Sequence, residues 1–430
     1  MGNSRMNSET KPKIYIETYG CTSNQADSDI IRGLAKRYFA LSDFESCDIA
    51  IVNSCGVIEH TERKILKRLQ EIKKMGKRVI LAGCLPRINP NADGISDGIL
   101  TPDNLNALPE IVKAIMTGEN TKAMMRNKLD KSELRCFKER LTENKIAIVS
   151  ISEGCVGKCS YCATRFARGR LFSFKLENIV EEVKEAVKDG FREIQLTSQD
   201  TAAYGLDNGR NLAELLDKIS EVEGEFRVRV GMMNPNNALK ILDDLVEAFR
   251  DEKIYKFLHL PVQSGDNEIL EKMARDYTVE EFLEVVERFR REFSDMVFST
   301  DIIVGFPGED EDSFLKSYEL IEKIRPDILN ITRFSARKRT PAAKLKDMPD
   351  WIKKERSRKL SELAKRIGED NNSRHLGKRC RVLVTKAGKR GYISRTDSYR
   401  PVILDEARLG EFYEARIVDY TFNYLRGIIC

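Results

Sequence analysis

Long apolar runs are missing from this chain. None approaches the roughly 20 residues that a bilayer-spanning helix needs. The N-terminus, MGNSRMNSETKPK, lacks the apolar core of a secretory leader, so residues 1–12 are expected to form a flexible arm. Histidine is scarce: only His60, His259 and His375 occur. Neither sign of charge dominates, since 73 Lys and Arg stand against 68 Asp and Glu, a net of +5. That value alone is too mild to imply a nucleic-acid partner. Low-complexity tracts and long internal repeats are also absent. What remains is a protein expected in the cytoplasm, with no membrane partner, acting as a monomer.

Cysteine, by contrast, is plentiful, with ten residues. In a reducing compartment that number argues for metal or redox chemistry rather than a disulfide framework.

The fold class reads as α/β. Over residues 13–118, apolar runs (KIYIETYG, CDIAIVNS, KRVILAG) alternate with helix-like stretches such as TERKILKRLQEIKKM. That alternation predicts a parallel α/β domain. A polar, basic linker follows over 119–145. Residues 146–370 carry six strand candidates: IAIVSIS, REIQLTSQ, FRVRVGMM, KFLHLPVQ, FSTDIIVG and ILNITRFS. Helical patterns separate them, two of them expected to stop at Gly190 and Gly224. Six units predict a partial (β/α)6 barrel, with its chemistry at the C-terminal strand ends. Residues 371–430 turn to short β-rich runs, as in a small antiparallel β-barrel. There, Lys and Arg outnumber Asp and Glu by 12 to 6.

The sequence EGCVGKCSYCATR sets Cys155, Cys159 and Cys162 in a C-x3-C-x2-C spacing just after the first barrel strand. Three close thiolates can wrap three corners of a four-iron cluster, which ordinarily takes four cysteines. Structural zinc is the rival, but it wants four ligands, and no fourth cysteine or histidine is near. A loop of reduced cysteines without metal is the third reading. Polar residues at the other strand ends share the same rim: Ser198 and Gln199 after the second strand, Arg229 in the third, Gln263 and Ser264 after the fourth, Gly305 after the fifth. Each alone fits an ordinary turn or strand end. Together they stand where a cofactor pocket would lie.

Cys21, Cys55 and Cys84 each follow a predicted strand of the first region. C-terminal strand ends of a parallel sheet share one edge, so the three would converge into a second site. Position alone leaves open that they are small buried apolar residues.

The triplet resembles the radical-SAM superfamily. ETYGCTSNQADSD, VNSCGVIEHTERK and LAGCLP, followed by CATRFARGR, HLPVQSG and DIIVGFPGE and a C-terminal barrel like a TRAM domain, resemble the radical-SAM methylthiotransferases over nearly the whole chain. The resemblance implies two [4Fe-4S] clusters, one on Cys155, Cys159 and Cys162 and an auxiliary one on Cys21, Cys55 and Cys84. It also implies S-adenosyl-L-methionine (SAM), with Ser198, Gln199, Arg229, Gln263, Ser264 and Gly305 lining its pocket, and both clusters facing one substrate. All six cysteines count as catalytic in that scheme. An electron donor and a sulfur source, neither identified, are implied partners. Cys47, Cys136, Cys380 and Cys430 read as structural or incidental. One departure is FSARKRTPAA, where the family more often has glycine in place of Arg339.

Members of the family act on adenosine beside the tRNA anticodon or on an aspartate of a ribosomal protein. The basic C-terminal barrel suits the tRNA anticodon stem-loop. Its aromatic residues, among them Tyr392, Tyr399, Phe412, Tyr413 and Phe422, read either as base-stacking or, more simply, as barrel core. Arg337, Lys338, Arg339, Lys353 and Lys354 extend the positive stretch upstream. NSCGVIEHTERK, AGCLPRI, LTSQDTAAYG and ARGRLFSF resemble the archaeal and eukaryotic branch, which uses N6-threonylcarbamoyladenosine. Alternatives are N6-isopentenyladenosine and a non-catalytic RNA-binding metalloprotein.

Overall fold

The computed structural model of the chain describes residues 11–56, 59–119, 121 and 130–430. The first ten residues of the expected arm, and 120 and 122–129 of the expected linker, lie outside them. The chain forms two units. One reaches Arg140 and takes in Ala163–Arg168; the other comprises Leu141–Cys162 and Gly169–Cys430.

The first unit contains β1 (Lys13–Tyr19), α1 (Thr22–Tyr38), β2 (Ala40–Leu41), β3 (Ile49–Ser54), α2 (Glu59–Lys74), β4 (Arg78–Gly83), a short α3 (Leu85–Ile88), β5 (Gly98–Leu100) and α4 (Leu108–Thr117). The strands lie in the order β2-β1-β3-β4-β5, every pairing parallel. β3 is buried at every position because alternate side chains serve opposite faces. Ile49 and Ile51 pack with Ile30 and Leu34 of α1 and Ile111 and Val112 of α4. Ala50 and Val52 pack with Ile65, Leu69 and Ile72 of α2. The strand order reverses between β1 and β3, and such a switch point opens a crevice at the C-terminal strand ends.

The rest of the chain runs β6 (Ile146–Ser150), β7 (Ser152–Glu153), α5 (Thr164–Arg168, in the first unit), β8 (Phe172–Ser173), α6 (Leu176–Lys188), β9 (Glu193–Thr197), α7 (Leu212–Ser220), β10 (Arg227–Arg229), α8 (Pro235–Lys240), α9 (Leu242–Ala248), β11 (Phe257–His259), α10 (Asn267–Lys272), α11 (Val279–Glu292), β12 (Val297–Val304), α12 (Glu311–Ile324), β13 (Ile328–Arg333) and α13 (Asp350–Ser373). β6, β9 and β10 form one parallel sheet; β11, β12 and β13 form another. Backbone bonds from Val228 to Lys253 and Tyr255 join their edges. The six expected strands thus make one open, partial barrel. α7 stops at Ser220, short of Gly224, because Val222 turns into the core.

The chain ends in β14 (Arg379–Gly388), β15 (Gly391–Thr396), β16 (Pro401–Leu404), β17 (Phe412–Tyr420) and β18 (Leu425–Ile429), closed in the order β14-β15-β16-β18-β17. All pairings are antiparallel except β16 with β18. This small barrel sits on the N-terminal ends of the large barrel's strands. Lys145 bonds to the Thr385 carbonyl at 2.8 Å, and Arg227 pairs with Asp397 at 2.9 Å. The Tyr399 ring lies 4.9 Å from both Tyr255 and Phe257, and its hydroxyl donates to Glu193 at 3.3 Å. The base is therefore capped, and the functional edge is the opposite one.

Candidate functional site

Three strands of the first unit lead into cysteine. Cys21 caps α1 just past β1, Cys55 follows β3 directly and Cys84 follows β4 directly. Cys21 and Cys55 flank the switch point. Burial pushes the Cys84 thiol up to about 11. Arg168 beside it pulls that value down, while Cys21 and Cys55 push it further up. Cys21 and Cys55 therefore lie near enough to Cys84 to influence it.

A buried amide pair fixes the spacing. Asn24 donates to Asn53 Oδ1 at 3.0 Å and to the Ser54 carbonyl at 3.2 Å. Asn53 donates back to the Asn24 carbonyl at 2.7 Å and to Ser28 at 2.8 Å. The Cys21 thiol reaches Asn24 Oδ1 at 3.3 Å, and the Cys84 amide reaches the Ser54 carbonyl at 2.8 Å. Gly83 takes φ +88°, and a Cβ there would come within 2.4 Å of Asn53 Oδ1. Only glycine lets the strand pass so close to the amide.

Beneath Cys84 lies a buried ion triad. Asp27 accepts from Lys131 at 2.6 Å and from Arg168 at 3.0 Å, each side chain almost wholly excluded from solvent. Arg168 arrives on the segment 163–168, which begins immediately after Cys162 in sequence.

In the second unit, Cys155, Cys159 and Cys162 occupy the loop after β6 and β7. Gly154, at φ +78°, starts it; a Cβ there would meet the Arg170 carbonyl at 2.1 Å. The loop is clamped by Ser160, bonded to the Lys272 and Met273 carbonyls at 2.8 and 2.9 Å. The Cys155 and Cys159 sulfurs stand 3.3 and 3.7 Å from where a Gly157 Cβ would be, so only glycine leaves the space between them clear. Burial pushes Cys155 up to about 11; the Gly157 amide opposes this, while Asp200, Cys159 and Cys162 add to it. Arg275, half-buried in the turn after α10, donates to Cys159 Sγ at 3.3 Å.

Both donor sets suit an iron–sulfur cluster. Cys55 and Cys84 are buried, Cys155, Cys159 and Cys162 half-buried and Cys21 exposed; the desolvated thiols are uncomfortable as bare anions, and bound cationic iron would reverse that penalty. Among the described residues, no group of three His, Cys, Asp or Glu side chains is gathered closely enough for a single metal ion. A four-iron cluster has no such requirement, since each cysteine takes a different iron.

The expected SAM-pocket residues divide by what they touch. Gln199 accepts from the Gly154 amide at 2.6 Å and so braces the cysteine loop. Ser198 accepts from the Asp200 amide at 3.1 Å. Arg229, expected on the pocket rim, instead lies over the Phe257 ring at 5.1 Å beside Tyr399 and Glu193 at the capped base, and burial holds its guanidinium below its ordinary value. Gln263 takes φ +70°, a costly conformation for a side-chain-bearing residue. Ser264 is buried and accepts from the Asp266 amide at 3.2 Å. Gly305 takes φ +72°, and its Cβ direction is filled by the Lys353 stem at 2.3 Å.

Several contributors escaped sequence reading: Asn24, Asn53, Asp27, Lys131, Arg168 and Arg275. For Asn24, Asn53, Asp27 and Arg168 the only signal was proximity to the cysteine motifs; Lys131 and Arg275 lie far from them in sequence. A polar row also crosses β11, β12 and β13. His259 meets Asp301 at 3.1 Å, and Asn330 donates to Asp301 at 2.7 Å. The upstream basic stretch is less exposed than its composition implies. Lys353 and Arg337 are buried, Lys353 bonding to Asp347 and the Phe334 carbonyl. Tyr399 is core. Arg339 adopts φ +72°, the conformation that suits the glycine more usual at this position.

Three family profiles match the chain: "Uncharacterized protein family UPF0004" over residues 13–95, "Radical SAM superfamily" over 149–321 and "TRAM domain" over 373–430. A protein of Archaeoglobus fulgidus named probable threonylcarbamoyladenosine tRNA methylthiotransferase is 59% identical, covering 96% of this chain and 98% of the relative. Its namesake in Pyrococcus horikoshii is 48% identical, covering 97% and 99%. The human threonylcarbamoyladenosine tRNA methylthiotransferase is 32% identical, covering 96% of this chain and 73% of its own. Among solved structures, the radical S-adenosylmethionine methyltransferase TsrM from Kitasatospora setae shares the fold, with a TM-score of 0.60 at 14% identity, covering 78% and 77% of the two chains.

Proposed function

Because the chain belongs to the threonylcarbamoyladenosine tRNA methylthiotransferase family, we propose that it replaces the C2 hydrogen of N6-threonylcarbamoyladenosine, beside the tRNA anticodon, with a methylthio group. The observation that carries this reading is the presence of two three-cysteine sets, each at the C-terminal ends of parallel strands. One such set would suffice to make a radical; the second gives sulfur a place to be held.

The adenine C2–H has no acidity that a side-chain base working near neutral pH can exploit. When bound, four-iron clusters and SAM supply the electron, the carbon radical and the methyl group that the reaction needs. Cys155, Cys159 and Cys162 would hold the first cluster, and Cys21, Cys55 and Cys84 the second. Arg275 steadies Cys159, and Arg168 steadies Cys84. Ser198 and Gln263 are assigned to SAM. Gln199, Ser264 and Gly305 shape the loops around it. The anticodon loop is single-stranded, so its base can be splayed out into a pocket at modest cost. A reductant and a sulfur source from the cytoplasm complete the turnover.

Nucleoside mass spectrometry of tRNA with and without the anaerobically reconstituted protein tests the reading. The methylthio derivative of threonylcarbamoyladenosine is expected. Methylthiolation of isopentenyladenosine instead would move the substrate. Bound zinc without SAM cleavage would remove the enzyme reading altogether. Cys159→Ala is expected to abolish SAM cleavage, while Cys84→Ala keeps some cleavage and loses methylthiolation. Full methylthiolation by Cys84→Ala would overturn the second site.

A further inference from the structure

At the base of the large barrel, α11, α12 and α13 all end beside the small barrel. Between them lies a cavity of about 560 Å³. Six Lys and Arg side chains line it against two carboxylates, Asp295 and Asp327. Some of those cations are committed to the fold. Arg290 bonds to the carbonyls that end α12, and Arg325 pairs with Asp370 at 2.7 Å. The interest lies in the others. Lys323, Arg374 and Lys378 are exposed at the rim and make no ion pair among the described residues.

Arg400 forms the floor and is 6% exposed. Its terminal nitrogens donate to Asn372 at 2.7 Å and Asp327 at 2.9 Å. Its Nε is buried and has no acceptor among the described residues. A buried cation with a donor left over, ringed by three unpaired cations, calls for an anion with several acceptor oxygens. His375, also in the wall, is held below its ordinary value by burial and by Arg400. Already crowded by positive charge, the cavity resists adding another.

The position of the cavity narrows the choice of anion. Asp295 and Met296 precede β12, and Asp327 precedes β13, so the cavity is at the N-terminal strand ends. The cysteine loop is at the other end. β12 alone, with eight residues, separates the two by roughly 25 Å. α13 runs back along β13 from mouth to base over 24 residues, roughly 36 Å. No small substrate spans that distance, whereas the helical arms of a tRNA do.

We infer that this cavity grips a backbone phosphate in the body of the tRNA, away from the nucleotide that is modified. The inference rests on tRNA being the substrate. It adds that the barrel base, and not the mouth alone, holds that substrate.

The test compares wild type with a Lys323→Ala, Arg374→Ala, Lys378→Ala triple variant of the reconstituted full-length protein. Binding of unmodified full-length tRNA and of its isolated anticodon stem-loop is titrated across a series of salt concentrations. The variant is expected to bind full-length tRNA about tenfold more weakly, with a salt slope shallower by about two to three units. Stem-loop affinity, melting temperature and RNA-independent SAM cleavage are expected to match wild type. Unchanged affinity and slope for full-length tRNA would overturn the inference, as would an equal loss for the stem-loop. Inorganic phosphate that raises the melting temperature of wild type but not of the variant, with tRNA binding unaltered, would mark a small-anion site and also overturn it. Binding is read without turnover, so a chain that binds as expected yet forms no methylthio product would count against the proposed reaction alone.

Discussion

Asn24 and Asn53 hold each other from both sides: Asn24 Nδ2 meets Asn53 Oδ1 at 3.0 Å, and Asn53 Nδ2 meets the Asn24 carbonyl at 2.7 Å. Both are fully buried. The pair ties the start of α1 to the end of β3, while Gly83 brings β4 against Asn53. Those are the three places from which Cys21, Cys55 and Cys84 project. Removing one amide strands the polar atoms of the other in a dry site, which costs about 1–3 kcal/mol for each unsatisfied group. Asn53→Ala is therefore expected to lower the melting temperature and to retain less iron after reconstitution, with the Cys155 set unaffected. Iron analysis of a Cys155→Ala background isolates this effect. Full iron loading of the double variant would count against it.

The triad around Asp27 makes a larger prediction. Asp27→Ala removes the buried carboxylate that Lys131 and Arg168 share. Breaking a buried pair by removing one partner costs about 3–5 kcal/mol. Denaturant unfolding should show a destabilised first unit. Asp27→Asn, which keeps the shape but not the charge, should recover only part of the loss.

Gln199 separates bracing from cofactor contact. Its Oε1 accepts from the Gly154 amide at 2.6 Å. Gln199→Ala leaves that amide without its acceptor, a cost of about 1–3 kcal/mol, and should slow SAM cleavage by loosening the cysteine loop. Gln199→Glu retains an acceptor and should restore cleavage. Equal damage from both variants would point to a role other than bracing.

Arg275 bears on the electronics of the first site. It is half-buried and donates to Cys159 Sγ at 3.3 Å. Hydrogen bonds to cluster-ligating sulfurs, and positive charge beside them, favour the reduced state. Arg275→Met, which fills similar space, is expected to shift the reduction potential to more negative values in an EPR-monitored titration. An unchanged potential would leave Arg275 with a packing role only.

Much of the architecture was legible in the sequence because periodicity is a local property. The six barrel strands announce themselves as apolar runs with helical patterns between them, and β3 opens on four consecutive apolar residues, Ile49–Val52, because it is covered on both faces. The cysteines after β1, β3 and β4 were legible for a topological reason, since parallel strands share an edge. The end of α7 was misjudged at Gly224 because the turn of Val222 into the core is a tertiary event. β18 pairs with β17 and with β16, and only closure of the small barrel makes it a strand.

The sequence by itself determined the cysteine sets, the alternation of strands and helices, and the charge of the C-terminal region, all written in residue type and spacing. Only the tertiary structure decided which charges act. Lys353 and Arg337 look like part of a basic surface in the chain, yet they are folded inward. Lys323 is fifty residues and more from Arg374 and Lys378, yet they share one rim. Asp27, Lys131 and Arg168 are spread over more than a hundred residues, yet they form one buried triad. Burial and long-range electrostatics depend on which segments the fold brings together, and no local pattern encodes that.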